Sequence, residues 1–430
     1  MISRVLSADL RQHVGERVTI AGWLHRRRDL KSVSFLIVRD RAGLAQVVLP
    51  PEAACDLPEE TVVQVEGTVT ASPQAPGGAE LTDPAVTALS GPAAPPPFDL
   101  YRPALTATLP TILDHAPTTL RHPHLQAGFT IASASVAGFR TALHGLDFTE
   151  VFTPKIVESA TESGANVFGL DYFGRPAYLA QSPQFYKQAM VGVFERVYEV
   201  GPVFRAEPHD TARHLAQYTS LDAELGFIAG HHDVMAVCRA AIAGMAASVS
   251  ERARSEMELL GASVPTVPAQ IPHVHFADAM ELISTATGED VTGEPDLAPA
   301  HERWLCEWSA REHGSDLVFV TGYPLVSKPF YTYPDAGRPG YSRGFDLLFR
   351  GMEIVTGGQR LHRHEDYLAA LAARGMDPAP FAGYLQVFEH GMPPHGGFAI
   401  GLERWTARLT GAANVRQVTL FPRDVHRLSP

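Results

Sequence analysis

The stretch Gly91–Pro97 (GPAAPPP) constrains the fold of this chain more than any other feature. Proline has no backbone N–H and a locked φ, so neither a helix interior nor a central strand runs through such a segment. It is a semi-rigid spacer, and each flanking part must close its own core. The two parts differ in pattern. Before the spacer, short β-type runs follow at Val18–Leu24, Phe35–Arg39, Leu44–Leu49, Val62–Val69 and Glu80–Leu89, with turn residues in Asp40–Gly43 and Pro73–Gly78. Ser7 to His13 reads as a short helix capped by Ser7 and ended by Gly15. Five short strands in this space fit a small Greek-key barrel such as the OB-fold. After the spacer, Phe129, Ala132, Val136, Phe139, Leu143 and Leu146 recur at helical spacing and predict one apolar helix face. Beyond it, β-type runs at Ala177–Leu179, Arg196–Val200, Phe345–Phe349, Met352–Val355 and Phe398–Ile400 alternate irregularly with helical stretches. That favours an α+β domain on an antiparallel sheet with flanking helices. The division expected is 1–92 as the barrel, 93–125 as a hinge and 126–430 as the larger domain.

The net charge of −12 argues against a nucleic-acid partner if taken alone. Local charge matters more. Residues 1–49 carry nine Lys and Arg against four acids, so this segment is +5 inside an acidic chain. The run Arg26–Arg28 and Phe35 could serve single-stranded nucleic acid, with Phe35 stacking on a base. The pattern alone slightly favours Phe35 as a core residue. No apolar run approaches a membrane span, and the N-terminus lacks the apolar core of an export signal. Cys55, Cys238 and Cys306 are odd in number and form no CxxC pair, which argues against zinc or a disulfide framework and fits a reduced cytoplasm. The His-rich pieces His362–His364 and His390–His395 lack the helical spacing or Cys pairing of a transition-metal site.

There is no GxxxxGK[ST] loop and no GxGxxG. A nucleotide would have to be held by side chains on a sheet, and three segments suggest how. Phe148–Val157 (FTEVFTPKIV) follows the amphipathic helix and enters a proline. In Phe204–Leu225, Arg205 with Glu207 and Asp222 with Glu224 alternate on a strand pair joined by a long polar tip. Guanidinium groups clamp phosphate bidentately, and such charge is costly to bury without a ligand or mutual pairing. In Gly396–Thr410 (GGFAIGLERWTARLT), glycines let a strand backbone approach a planar ligand, and Arg404 then points at the same site as Arg205.

In this order the three segments resemble motifs 1, 2 and 3 of the class II aminoacyl-tRNA synthetases, and the resemblance covers nearly the whole chain. It implies that Pro154 lies at a homodimer interface. Arg205 would bind the α-phosphate of ATP and Arg404 the γ-phosphate, the two being the catalytic arginines. Ala206 and Glu207 would lie at the adenine, and Arg213, His214 and Leu215 in the loop over the nucleotide. Tyr218 would stack on adenine, with Gly401 behind the ring and Leu402 and Glu403 beside it. Gln181–Gln188 (QSPQFYKQ) resembles the aspartate subgroup of the family, whose relatives that use asparagine generally lack the lysine found here at Lys187. The resemblance implies L-aspartate as substrate. Lys187 and Arg360 would face its side-chain carboxylate, Asp222 and Gln184 its ammonium, with Gln181, Arg205 and Thr356 also at the amino acid. Glu162, in Ser159–Gly164, would belong to a loop that closes over it. Asp346, Glu353 and Thr356 would hold Mg²⁺ against the ATP phosphates.

The barrel resembles the anticodon-binding domain of this family. Phe35 would stack on the middle anticodon base, Gln46 would help read it, Arg26–Arg28 (Arg26 and Arg27 above all) would meet phosphates, and His25 and Pro76 would also contact the tRNA. Only a short interval separates motifs 2 and 3, as in the shorter, archaeal-type members. Discriminating members of that type tend to have Trp where this chain has His25, and Lys where it has Pro76. That implies charging of both tRNA(Asp) and tRNA(Asn), the second product feeding an amidotransferase. The nearest alternative is an asparaginyl enzyme, against which Lys187 argues.

Overall fold

The computed structural model describes residues 4–50, 56–158 and 166–430. Cys55 and Glu162 lie outside the described residues. The chain forms two compact units, 1–122 and 123–430.

In the first unit, five strands close a barrel in the order β1-β2-β3-β5-β4. They are β1 (Arg17–Asp29), β2 (Ser34–Asp40), β3 (Gly43–Leu49), β4 (Val62–Ala71) and β5 (Ala79–Ala88). Alternate residues such as Leu36, Val38, Val63, Val65 and Leu81 point inward and are buried, as the period of two requires. Ser7–His13 is a 3-10 helix, not an α-helix. Ser7 does not cap it; its backbone N–H and hydroxyl both donate to Asp40, at 2.7 Å each.

The second unit is built on an eight-stranded sheet and a three-stranded one. In chain order the strands are β6 (Thr149–Glu150), β7 (Ile156–Val157), β8 (Gly169–Tyr172), β9 (Arg175–Leu179), β10 (Arg196–Phe204) and β11 (Gln217–Gly226). Then come β12 (His273–His275), β13 (Leu317–Thr321), β14 (Gly344–Phe349), β15 (Met352–Gln359) and β16 (His395–Gly401). The large sheet runs β12-β13-β14-β15-β16-β11-β10-β6. Its six inner strands are antiparallel, and each edge strand pairs parallel to its neighbour. The small sheet is β7-β9-β8.

Helices pack on the large sheet. The helix Pro123–His144 buries Ala127, Gly128, Ile131, Ala134, Ser135, Gly138, Phe139 and Leu143. The sequence spacing put Phe129, Ala132 and Val136 on that face; they are only half-buried. A glycine contact turns the helix: a Cβ on Gly138 would lie 2.3 Å from the Gly244 carbonyl oxygen. Two glycine backbones therefore set the crossing, and small residues flank them. The partner helix, His231–Arg252, is long and apolar enough to span a bilayer by length and composition alone. Its Val234, Cys238, Ile242, Met245 and Val249 are buried in the core of this unit, which accounts for the apolarity.

Candidate active site and nucleic-acid face

The hairpin β10–β11 carries the long tip 205–216, and the neighbouring strands β15 and β16 complete a floor. Over it lies a cleft of about 800 Å³, part of it open to solvent. Arg205, Glu207, Arg213, His214, Leu215, Tyr218, Glu353, Thr356, Gly401, Glu403 and Arg404 all line it, together with Ser220. Two expected residues do not. Leu402 packs against the core, and Ala206 donates its backbone N–H to Asn166, at 2.9 Å.

Charges in the cleft are arranged in alternating sign. Glu353 lies 3.5 Å from Arg404 and 3.9 Å from Arg213. Burial pushes Glu353 up, but Arg404, Arg213, Lys328 and Arg205 together hold it below the usual carboxylate value. Arg213 pairs at 2.8 Å with Glu302, a buried acid that also accepts the Glu353 backbone N–H, at 2.8 Å. The Arg205 guanidinium lies 5.7 Å from the Tyr218 ring centre. Burial, then the nearby Arg404, lowers His214 to about 4, so a neutral imidazole faces the cleft. Burial pushes Glu403 up to about 7; both its oxygens accept from the Thr219 backbone N–H, at 3.0 and 3.1 Å.

The tip itself is tied down from the C-terminal segment. Buried Arg416 donates to the Thr211 carbonyl at 3.0 Å and to Asp210 at 2.8 Å, and also pairs with Asp424. The backbone adds Ala216 N–H to Arg423 O at 2.7 Å and Val415 N–H to Ala212 O at 2.9 Å. Nothing in the local sequence marks Arg416 as a tie for the tip, because Thr211 and Asp210 lie 205 and 206 residues before it.

Asp346 and Thr356 are cross-strand partners on β14 and β15, so they share a face. Burial pushes Asp346 up to about 6 against the pull of Lys328, whose ammonium lies 3.3 Å away. Lys328 also sits 3.8 Å over the Tyr323 ring. The sequence reading missed it. Two carboxylates and a hydroxyl make a hard oxygen donor set that suits Mg²⁺ completed by phosphate oxygens and water.

Next to Ser220, whose hydroxyl donates to Asp222, is a second and drier cluster. Lys187 is 1% exposed. Its ammonium donates to Asp222 at 2.9 Å and to the Phe398 carbonyl at 3.2 Å, and lies 3.3 Å from Glu224. Arg360 donates to Glu224 at 3.0 Å and to the Gly397 carbonyl at 3.0 Å. Burial would raise Glu224, but Arg360, Lys187 and His395 outweigh it and hold the carboxylate ionised. The family resemblance implies that both cations face a substrate carboxylate. In the structure they first meet Asp222 and Glu224, so the cluster is neutral, two charges of each sign. The reason is cost: two buried cations without protein anions would pay full desolvation. A Cβ on Gly397 would lie 1.9 Å from a Glu224 oxygen, so glycine there makes the room for this acid.

Gln184 is buried and donates to Gln188 at 2.9 Å. Gln181 is 1% exposed. At the first motif, buried Glu199 accepts from the Thr153 backbone N–H at 3.0 Å, its hydroxyl at 2.7 Å and Lys155 at 2.8 Å. That fixes the chain around Pro154 and leaves Phe152 81% and Ile156 47% exposed.

In the barrel unit, Arg28 pairs with Phe35, Arg26 and Gln46 with Ile37, and Val48 with Phe35, so these side chains share one outer face. Phe35 is therefore outside the barrel core, where Leu36 and Val38 point, and it is half-buried. Gln46 donates to Glu80 at 2.7 Å, and the Arg26 guanidinium lies 4.0 Å over the Tyr101 ring. Arg27 pairs with Leu36 and so faces the other way, donating to Asp29 at 2.9 Å. Pro76 is half-buried at the start of a short turn, Pro76–Gly78. His25 corrects the expectation of a direct contact. It sits in the bulge between Leu24 and Arg26, is 6% exposed, and lies 2.9 Å from Arg39, which in turn pairs with Glu60 at 2.8 Å. Burial, then Arg39, lowers it to about 4. A neutral, buried imidazole acts on the outer face only through its neighbours.

Comparisons with known proteins agree with this geometry. Residues 109–425 match the model of the tRNA synthetases class II (D, K and N), and residues 18–89 match the OB-fold nucleic acid binding domain. An aspartate--tRNA(Asp/Asn) ligase of Thermus thermophilus is 49% identical over 99% of this chain and all of its own length. One of the same name from Deinococcus radiodurans is 46% identical over all of this chain and 99% of its own length. Among solved structures, asparaginyl-tRNA synthetase from Pyrococcus horikoshii complexed with asparaginyl-adenylate has a TM-score of 0.92 at 30% identity, covering both chains fully. The backbone is thus shared between enzymes for different amino acids, and side chains must decide among them. The chain belongs to the class II tRNA synthetase family for D, K and N, in its branch of aspartate–tRNA ligases.

Proposed function

We propose that the chain activates L-aspartate with ATP to aspartyl-adenylate and transfers it to tRNA(Asp) and tRNA(Asn). The observation that carries the amino-acid choice is the buried cluster of Lys187, Arg360, Asp222 and Glu224. A substrate carboxylate entering it accepts from the two cations. An asparagine amide would turn N–H donors toward donors and leave buried hydrogen bonds unmade, which a site of this kind rejects strongly. The asparaginyl alternative lacks any comparable feature in its favour.

In this reading Arg205 meets the α-phosphate, Arg404 the γ-phosphate, and Tyr218 the adenine face, with Glu207 at its amino group. Arg213 exchanges Glu302 for phosphate. Gln181, Gln184 and Asp222 hold the ammonium end. The α-carboxylate attacks the α-phosphorus in line, and pyrophosphate leaves. The 3′-terminal hydroxyl of tRNA then attacks the acyl carbon and AMP leaves. Positioning and charge stabilisation suffice, so no general base is assigned. Asp346, Glu353 and Thr356 would hold Mg²⁺, which when bound neutralises charge on the phosphates.

Arg26, Arg28, Phe35 and Gln46 form the face offered to the anticodon, phosphate contacts positioning and base contacts specifying. Use of tRNA(Asn) is supported by the printed names of the relatives and by His25 and Pro76 in this sequence. The exposed Phe152, Pro154 and Ile156 support a homodimer through this edge. Aspartyl-tRNA(Asn) would pass to an amidotransferase, in the cytoplasm where tRNA is charged. Pyrophosphate exchange with aspartate and with asparagine separately tests the amino acid: exchange with aspartate is expected, and exchange with asparagine alone refutes the reading. Aspartylation of transcripts whose anticodons end in C or U tests the tRNA claim, which strict preference for C would overturn.

A further inference from the structure

Behind the amino-acid cluster runs a chain of buried hydrogen bonds whose direction is set by two backbone carbonyls. His395 Nδ1 lies 2.9 Å from the Pro393 carbonyl oxygen, which can only accept, so Nδ1 carries the proton. In the neutral ring Nε2 is then an acceptor, and the Gln188 atom 2.8 Å from it must be the amide NH₂. The Leu361 carbonyl makes the same demand independently. It accepts the Tyr367 hydroxyl at 2.8 Å, so the Tyr367 oxygen accepts from the Gln188 NH₂ at 3.1 Å. With its NH₂ so committed, Gln188 turns its carbonyl oxygen the other way, toward Tyr384 at 2.8 Å and Gln184 at 2.9 Å. Gln184 must therefore give its own NH₂ to Gln188, and its carbonyl oxygen is the end left to turn elsewhere. An ammonium needs an acceptor, not a donor.

We infer that His395 and Gln188 are positioning residues that orient the Gln184 amide so that its carbonyl receives the substrate ammonium. The inference rests on the proposed aspartate reading, in which Gln184 meets that group. His395, Gln188 and Tyr367 are each fully buried, so water does not compete for the relay. Glu224, Arg360 and His362 are the charged or titratable groups around His395, and burial, above all, keeps the ring neutral at about 4.

The test uses the full chain in pyrophosphate exchange, with succinate as a competitive inhibitor. Succinate has both carboxylates of aspartate and no ammonium. In His395→Leu, KM for aspartate is expected to rise about tenfold or more, the range of a lost hydrogen bond to a charged group. Ki for succinate and KM for ATP should hold. His395→Gln, which can offer a carbonyl to Gln188, should recover part of the loss. Gln188→Met, similar in volume, should give the same split if His395→Leu does not fold. An unchanged KM for aspartate, a parallel rise in Ki for succinate, or a His395→Gln variant as impaired as His395→Leu overturns the inference. Wild-type exchange with asparagine alone would instead refute the parent reading, and it is measured before any variant.

Discussion

Replacing Lys187 with methionine removes one of two cations from a cluster that holds two carboxylates, leaving Arg360 to face both Asp222 and Glu224. The Lys187 and Asp222 side chains are each 2% exposed and Glu224 is fully buried, so solvent cannot take over the lost partner. Removing one member of a buried ion pair typically costs about 3–5 kcal/mol. For the 308 residues of 123–430, an unfolding entropy of about 2.1 cal/mol/K per residue converts this to a fall in Tm of about 5–8 °C. The double variant Lys187→Met with Glu224→Gln restores neutrality, Arg360 against Asp222. It should lose less than the sum of the single variants, with a coupling of about 1–3 kcal/mol. Urea unfolding of the four chains of this cycle measures the terms, and pyrophosphate exchange with aspartate should collapse in both Lys187 variants. A loss below about 1 kcal/mol for Lys187→Met, or strict additivity, would refute the claim that the cluster is an electrostatic unit.

Other outcomes follow from the same geometry. Arg416→Ala frees Asp210 and Thr211 at the tip over the nucleotide and leaves Asp424 without its guanidinium. KM for ATP should rise about tenfold and exceed any change in KM for aspartate. Glu403, raised by burial to about 7, favours its neutral form in the folded chain. That contribution is complete below the ordinary carboxylate pKa and is lost as pH rises through about 7. Calorimetry should therefore find the Tm of Glu403→Gln, relative to wild type, more favourable at about pH 8.5 than at about pH 5. Phe35→Ala should weaken tRNA binding by about 1–3 kcal/mol, seen as a raised KM for tRNA in aminoacylation, with tRNA-independent pyrophosphate exchange as the control.

The amino-acid sequence alone determined what depends on local order. Prolines at 92 and 95–97 forbid regular structure and so separate the two patterns. Period-two runs placed the barrel strands, and the order of three short motifs marked the cleft, most of whose expected lining residues do meet there. What remained illegible depended on partners far apart in the chain. Glu224 looks like one more alternating strand acid until Arg360, 136 residues on, and Lys187 close around it. Glu302 and Lys328 carry no motif, yet they hold Arg213 and Asp346. His25 stands beside the arginine run 26–28, yet a bulge turns it inward onto Arg39. Lys187 was recognisable, but its setting was not: a buried ammonium must be neutralised by whatever the fold brings near it, here Asp222, Glu224 and the Phe398 carbonyl 211 residues away. Short-range pattern sets backbone form because propensity and periodicity act over a few residues. Charge pairing and hydrogen-bond direction are settled only when distant segments share one dry interior.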